Sequence, residues 1–132
     1  PLRIEIGPRD LAEGKVMSVR RDTFEKAPLD SEGLEGEIKA MLDAIQTNMF
    51  EIARAFRDAH TADVHNMEEL GRQVDGGYAK AMWCGDRACE DKIKEQFNAT
   101  SRNMPFDQTP IDDHCVCCGK PAKKLIYFAK AY

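Results

Sequence analysis

Hydrophobic positions along the chain change period three times, and each change predicts a different element. Arg3-Ile4-Glu5-Ile6 alternates polar and apolar residues, Gly7-Pro8-Arg9-Asp10 interrupts it, and Lys15-Val16-Met17-Ser18-Val19-Arg20 resumes the alternation. A period of two is that of a strand with one buried face. Two short strands are therefore expected, with a helical turn at Asp10-Leu11-Ala12-Glu13-Gly14 between them. Two strands cannot bury an apolar face alone, so they should belong to a larger sheet. From Leu34 the spacing switches to threes and fours: Leu34, Ile38, Met41, Leu42, Ile45, Met49, Ile52, Ala53, Phe56 and Ala59 form the stripe of a long amphipathic helix. Asp30 or Ser31 is placed to cap it, and Glu32 and Glu35 suit the positive end of its dipole. At about 1.5 Å per residue it spans roughly 40 Å, enough to connect two lobes.

Beyond the helix the signals shorten. Asn66 to Val74 reads as a second helix stopped by Gly76-Gly77, Tyr78 to Trp83 as a strand, Asp91 to Ala99 as a helix and Leu125 to Phe128 as a strand. Residues 101–113, with Pro105, Pro110 and paired aspartates, read as an irregular linker. The fold class that results is α+β: part of an α/β domain over residues 1–33, a connecting helix over 34–65, and a small α+β module over 66–132.

Composition narrows the possibilities. In 132 residues, 42% are hydrophobic and 32% charged, a globular balance that supports one modest core or one core and a stapled appendage. No apolar stretch approaches the ~18 residues of a membrane span, and no basic-then-apolar leader opens the chain, so a soluble, cytoplasmic protein with no membrane partner is expected. The chain opens directly into a strand without an initiator Met, and it is read as a fragment of something longer. A net charge of −4 argues against generic polyanion binding. Any nucleic-acid contact must be local, because basic and acidic residues balance over 1–30 while 120–132 carries lysines and no acid.

The candidate chemistry lies in the cysteines. Five is an odd number, ill suited to a closed disulfide framework and better matched to reduced thiols. Cys84 and Cys89 enclose four residues, Cys115 and Cys118 enclose two, and 25 residues separate the pairs. Two close pairs on two turns can supply four soft donors in a tetrahedron, which is the requirement of a structural zinc site. Gly85 and Gly119 allow the tight turns such knuckles need. With four thiolates no coordination position stays open, so the metal is expected to be structural and not catalytic. Cys117 offers a one-residue spacing to Cys115 as an alternative, and His114 is a weaker candidate. Trp83 is expected to pack against the knuckle, and His60 and His65 to lie solvated by the helix end. No catalytic residue and no phosphate-binding glycine loop is recognisable.

These residues also carry a resemblance. Pro1 to Asp10, then Val19-Arg20-Arg21-Asp22-Thr23 and Lys26, resemble the latter half of the anticodon-binding domain of prolyl-tRNA synthetases of the archaeal and eukaryotic type. Trp83-Cys84-Gly85-Asp86, Cys89-Glu90, Ala99-Thr100-Ser101-Arg102, Cys118-Gly119-Lys120-Pro121-Ala122 and the ending Phe128 to Tyr132 are similar to that family's C-terminal zinc module. The resemblance implies a parent class II enzyme that ligates L-proline to tRNA-Pro with ATP and Mg, works as a homodimer, and keeps its catalytic core outside this chain. It further implies anticodon contacts from the sheet edge, for which Arg3, Glu5, Arg9, Arg21 and Lys26 are the candidates, and a contact of the terminal Tyr132 with the parent's own catalytic domain. Isolated, such a chain would be inactive. The alternative is a free-standing zinc-stabilised module that binds proteins or RNA.

Overall fold

The computed structural model describes residues 1–130 and divides into two compact units, Pro1–Ala55 and Phe56–Tyr132. Tyr132, with its expected terminal contact, lies outside the described residues. The architecture is α+β with a long helix and two sheets, as the hydrophobic pattern predicts.

Unit 1 holds an antiparallel sheet in the order β1 (Leu2–Glu5), β2 (Lys15–Arg20), β3 (Lys26–Asp30). The third strand is absent from the sequence reading because Pro28 interrupts its pattern. An edge strand such as β3 tolerates proline, because the N–H that proline lacks can be one that would face away from the neighbouring strand. The sheet has two unlike faces. Val16, Ser18 and Leu29 are buried, and the hydroxyl of Ser18 donates to the carbonyl of Ala27 at 2.9 Å, so the one polar side chain among them is satisfied. Arg3, Val19 and Lys26 form one cross-strand row on the opposite face.

Helix α1 (Pro8–Ala12) begins earlier than the expected turn, with Pro8 in its first turn, where no N–H is missed. The backbone N–H of Gly7 donates to the Asp10 carboxylate at 3.1 Å and fixes its start. Helix α2 (Leu34–Ala59) contains 26 residues, about 39 Å of helix. Neither expected cap is used: Asp30 ends β3, and the hydroxyl and N–H of Ser31 both donate to the Gly14 carbonyl. Ile45 is its buried residue. From the same helix Asn48 donates to Asp22 at 2.8 Å, and Arg20 grips that carboxylate through two bonds of 3.0 and 2.6 Å. Chiefly through Arg20, with Asn48 adding to it, the Asp22 carboxyl is held far below its usual range.

Unit 2 is built on a mixed sheet in the order β4-β5-β7-β6. Its strands are β4 (Thr61–Val64), β5 (Tyr78–Trp83), β6 (Ala99–Asn103) and β7 (Lys124–Lys130). Residues 61–64 of the segment expected to be connecting helix thus form a strand, since α2 stops at Ala59. Strands β4 and β5 run parallel, joined by α3 (Met67–Gln73), while β7 pairs antiparallel with both β5 and β6. Asn66 caps α3 by accepting the N–H of Glu69 at 2.9 Å. The core gathers Val64, Leu70, Val74, Ala79, Ala81, Ile93, Ala99, Val116, Ile126 and Phe128. Leu70, Ile93 and Phe128 have no exposed surface.

Helix α4 (Arg87–Phe97) starts four residues before the expected Asp91, because Asp86 caps it by accepting the N–H of Ala88 at 3.0 Å. Asn98 ends it in the left-handed conformation at φ 54°. The chain then enters β6, whose residues were expected to be helix end and linker. The irregular segment after β6 does structural work through Gln108. Its side chain accepts from the N–H of Leu125 at 2.8 Å and donates to the Leu125 carbonyl at 3.2 Å, standing in for a neighbouring strand beyond the end of β6. No helix among the described residues is long and apolar enough to cross a membrane.

Candidate functional site

Three features of unit 2 position the four cysteines of the cluster. Cys84 directly follows β5, and Gly85 turns the chain with φ +94°, a value open to glycine but strained for other residues. The Asp86 cap then places Cys89 in the first turn of α4, where it is buried. Cys115 and Cys118 sit on a turn before β7. The N–H of Gly119 donates to the Cys115 carbonyl at 2.9 Å and that of Cys115 to the Lys120 carbonyl at 2.8 Å, with Gly119 at φ +69°. The turn is tied to β5 by the N–H of Val116, which donates to the Met82 carbonyl at 2.9 Å.

The four sulfurs converge. Cys84 Sγ lies 3.7 Å from Cys89 Sγ and 3.8 Å from Cys118 Sγ, and the Sγ atoms of Cys84, Cys89, Cys115 and Cys118 all fall within 4.8 Å of one another. Disulfide sulfurs would stand at about 2.05 Å. A tetrahedral ion with bonds of about 2.3 Å to sulfur needs its donors about 3.8 Å apart. The cluster matches the second spacing, and the donor set fits a metal ion held by thiolates. Cys117 stands outside the group and packs against the hydrophobic core instead. His114 is also outside it, in a bridge with Pro121 and with its Nδ1 3.6 Å from Asp112.

The surroundings treat the thiols unequally. Burial pushes Cys84 and Cys89 up. Burial opposes ionisation of Cys115 as well, but the backbone N–H groups of Cys118, Cys117 and Cys84 outweigh it and bring this thiol down to about 7. Such N–H groups aimed at sulfur are the usual outer support of a thiolate ligand. Trp83 is partly buried against the core, its indole N–H donates to the Asp86 carbonyl at 3.1 Å, and Lys124 Nζ lies 5.4 Å from its ring centre. The roles of Asp86 and Lys124 were not read from the sequence. The Asp directly before a helical stretch was the available signal for the first; Lys124 is brought in by strand pairing and has no local signature.

The candidate RNA-contacting residues of unit 1 do not all meet. Lys26 Nζ stands 2.6 Å from Glu5 Oε2 and Arg3 2.8 Å from Glu5 Oε1, so one carboxylate bridges two cations on one face. The paired cations, Lys26 first, lower the Glu5 carboxyl from its ordinary value. Arg9 lies on α1 and Arg21 at the β2–β3 turn, both exposed and outside this triad. His60, stacked on Phe56 with ring centres 3.9 Å apart, has Nδ1 2.7 Å from the Phe56 carbonyl at the end of α2. His65 has turned instead to Asp112, at 3.0 Å.

A mixed four-stranded sheet that brings two cysteine pairs together at one end defines unit 2 as a small module equipped to hold a metal ion. Residues 67–132 match the family described as "Prolyl-tRNA synthetase, C-terminal", and the chain belongs to that family. Over its whole length it is similar to proteins named proline–tRNA ligase: 52% identical to that of Lachnoclostridium phytofermentans, 51% to that of Lachnospira eligens and 50% to that of Clostridium botulinum. The chain spans 28% of the length of each of these relatives.

Proposed function

We propose that this chain acts as the C-terminal region of a prolyl-tRNA synthetase, an enzyme that joins L-proline to tRNA-Pro at the expense of ATP with Mg. The observation that carries the reading is the convergence of four sulfurs, from two cysteine pairs 25 residues apart, inside a chain similar end to end to proline–tRNA ligases. Within that enzyme the chain supplies support and recognition, and the chemistry belongs to a catalytic domain outside it. Zinc, held by Cys84, Cys89, Cys115 and Cys118, is the structural metal. The four residues would be bound as thiolates and their turns fixed against β5 and α4. The motifs favour the archaeal and eukaryotic type of the enzyme, a form that bacteria such as those of the relatives would then share.

In this reading residues 1–33 end the anticodon-binding domain, α2 connects, and the zinc module takes in β4 (Thr61–Val64) ahead of residues 66–132. Arg3 and Lys26 approach the anticodon, with Arg9 and Arg21 on phosphates and Glu5 orienting the first two or accepting from a base amino group. Tyr132 meets the parent's catalytic domain, and the parent is a cytoplasmic homodimer.

The test uses the full-length enzyme. Arg3→Gln with Lys26→Gln should raise KM for tRNA-Pro while proline-dependent ATP–pyrophosphate exchange, which needs no tRNA, stays constant. An unchanged KM removes the anticodon role. Absence of proline-dependent exchange in the unaltered full-length protein removes the enzyme reading altogether.

A further inference from the structure

A cavity of about 510 Å³ opens on unit 2, on the sheet face away from the buried Ala79, Ala81, Ile126 and Phe128. The alternation of the strands brings its walls together. Thr61 pairs with Tyr78 across β4 and β5, and Asn103 pairs with Tyr127 across β6 and β7. Between Ser101 and Asn103 the β6–β7 register slips, and Arg102 is the extra residue. Such a bulge re-aims side chains, so that Arg102 and Asn103 both line the cavity where regular pairing would send neighbours to opposite faces. Arg57, from the last turn of α2, lines the cavity as well.

The chemistry of this lining is specific. Two tyrosine rings provide apolar faces that end in hydroxyls, and two guanidiniums provide forked donors suited to a phosphate. Thr61 and Asn103 add hydroxyl and carboxamide groups for sugar or base edges. Arg57 is partly neutralised by Asp58 at 2.6 Å, while Arg102 is exposed and makes no ion pair among the described residues. Aromatic walls beside a free arginine suit a ligand that is flat at one end and anionic at the other. The volume falls within the range of about 300–1,000 Å³ typical of small-ligand sites.

We propose that this cavity binds one nucleotide, its base against Tyr78 or Tyr127 and its phosphate on Arg102 with help from Arg57. The ligand is either a free nucleotide or a single unpaired residue of an RNA strand, which share this chemistry. The site is built from residues of unit 2 alone and does not depend on the anticodon reading.

The test titrates the isotopically labelled 132-residue chain with AMP, adenosine, inorganic phosphate and a single-stranded RNA tetramer, followed by amide chemical shifts. AMP should move the amides of residues 57–61, 78, 102–103 and 127, and should bind more tightly than adenosine or phosphate alone. Arg102→Gln should weaken AMP about tenfold, the loss of one charge-assisted contact, and Tyr78→Ala should weaken it further. Both positions are exposed, and amide spectra of the variants outside the cavity should stay unchanged. Arg72→Gln, away from the cavity, should bind AMP as the original chain does. Equal affinity for AMP and the tetramer assigns a free nucleotide, and tighter binding of the tetramer assigns RNA. Three results overturn the proposal: no shift at the cavity, phosphate binding as tightly as AMP, or Arg102→Gln binding AMP unaltered.

Discussion

The comparison of Cys118→Ser with Cys117→Ser isolates the metal-binding reasoning, because the residues are adjacent while only one belongs to the sulfur cluster. Cys118 Sγ lies 3.8 Å from Cys84 Sγ, whereas Cys117 packs on the core. Structural zinc in small domains is worth about 10–16 kcal/mol, so an equal share per ligand is about 2.5–4 kcal/mol, or a loss of roughly 10²–10³ in affinity for Cys118→Ser. That loss reaches stability through mass action. At free zinc 1,000 times the original dissociation constant, bound metal stabilises the fold by about 4 kcal/mol; after a thousandfold weakening only about 0.4 kcal/mol remains. Cys117→Ser should leave zinc affinity unaltered and cost only the burial of a hydroxyl, about 1 kcal/mol. Competition against a chromogenic chelator gives the affinities, and urea unfolding at buffered zinc gives the stabilities. Unchanged affinity in Cys118→Ser, or loss of zinc in Cys117→Ser, refutes the assignment. The second result would move the knuckle to Cys115 and Cys117.

Other consequences are accessible by ordinary mutagenesis. A Cβ at Gly77 would sit 2.0 Å from the His60 carbonyl oxygen, which already accepts from Tyr78, so Gly77→Ala should cost about 2–3 kcal/mol in urea unfolding. Gly36, in α2 with nothing within 4 Å of a Cβ, is the contrast: Gly36→Ala should stabilise by about 0.5–1 kcal/mol. Phe128→Ala, at a position with no exposed surface, should cost about 3–5 kcal/mol. The lowered Asp22 carboxyl makes unit 1 pH-dependent in one direction. Its stabilisation is complete above the unfolded value of about 3.9 and is lost as pH falls from there toward the folded value. Asp22→Asn should flatten that acid limb while leaving the slope at higher pH intact, read by circular dichroism during acid titration.

The sequence carried the parts of the fold that repeat and lost those that depend on pairing. Helix α2 was legible because 26 residues sustain one period, and the α3 start because Asn66 and Glu69 satisfy each other locally. Strand β3 was hidden by Pro28, β4 by its closeness to the end of α2, and β6 by the helix pattern running into it. The cysteine cluster could be anticipated because ligand spacing within a turn is a local property. The Arg3–Glu5–Lys26 triad as a unit could not, since Lys26 reaches Glu5 across β2, and register between strands leaves no mark in either one. Arg102 was illegible for a related reason: a bulge is a mismatch between two strands and cannot be seen in one alone.

The strand order of unit 2 has a bearing on synthesis. Strand β7, the last of the described strands, lies between β5 and β6, both of which precede it in the sequence. A growing polypeptide can therefore assemble β4, α3, β5 and α4 as they emerge, but β6 has no place to dock until residues 124–130 have been translated. A product released early would keep both outer portions of the sheet and lack the piece between them, exposing unpaired backbone on β5 and β6. The arrangement makes closure of this sheet depend on residues 124–130, since without them β5 and β6 are left facing an open seam.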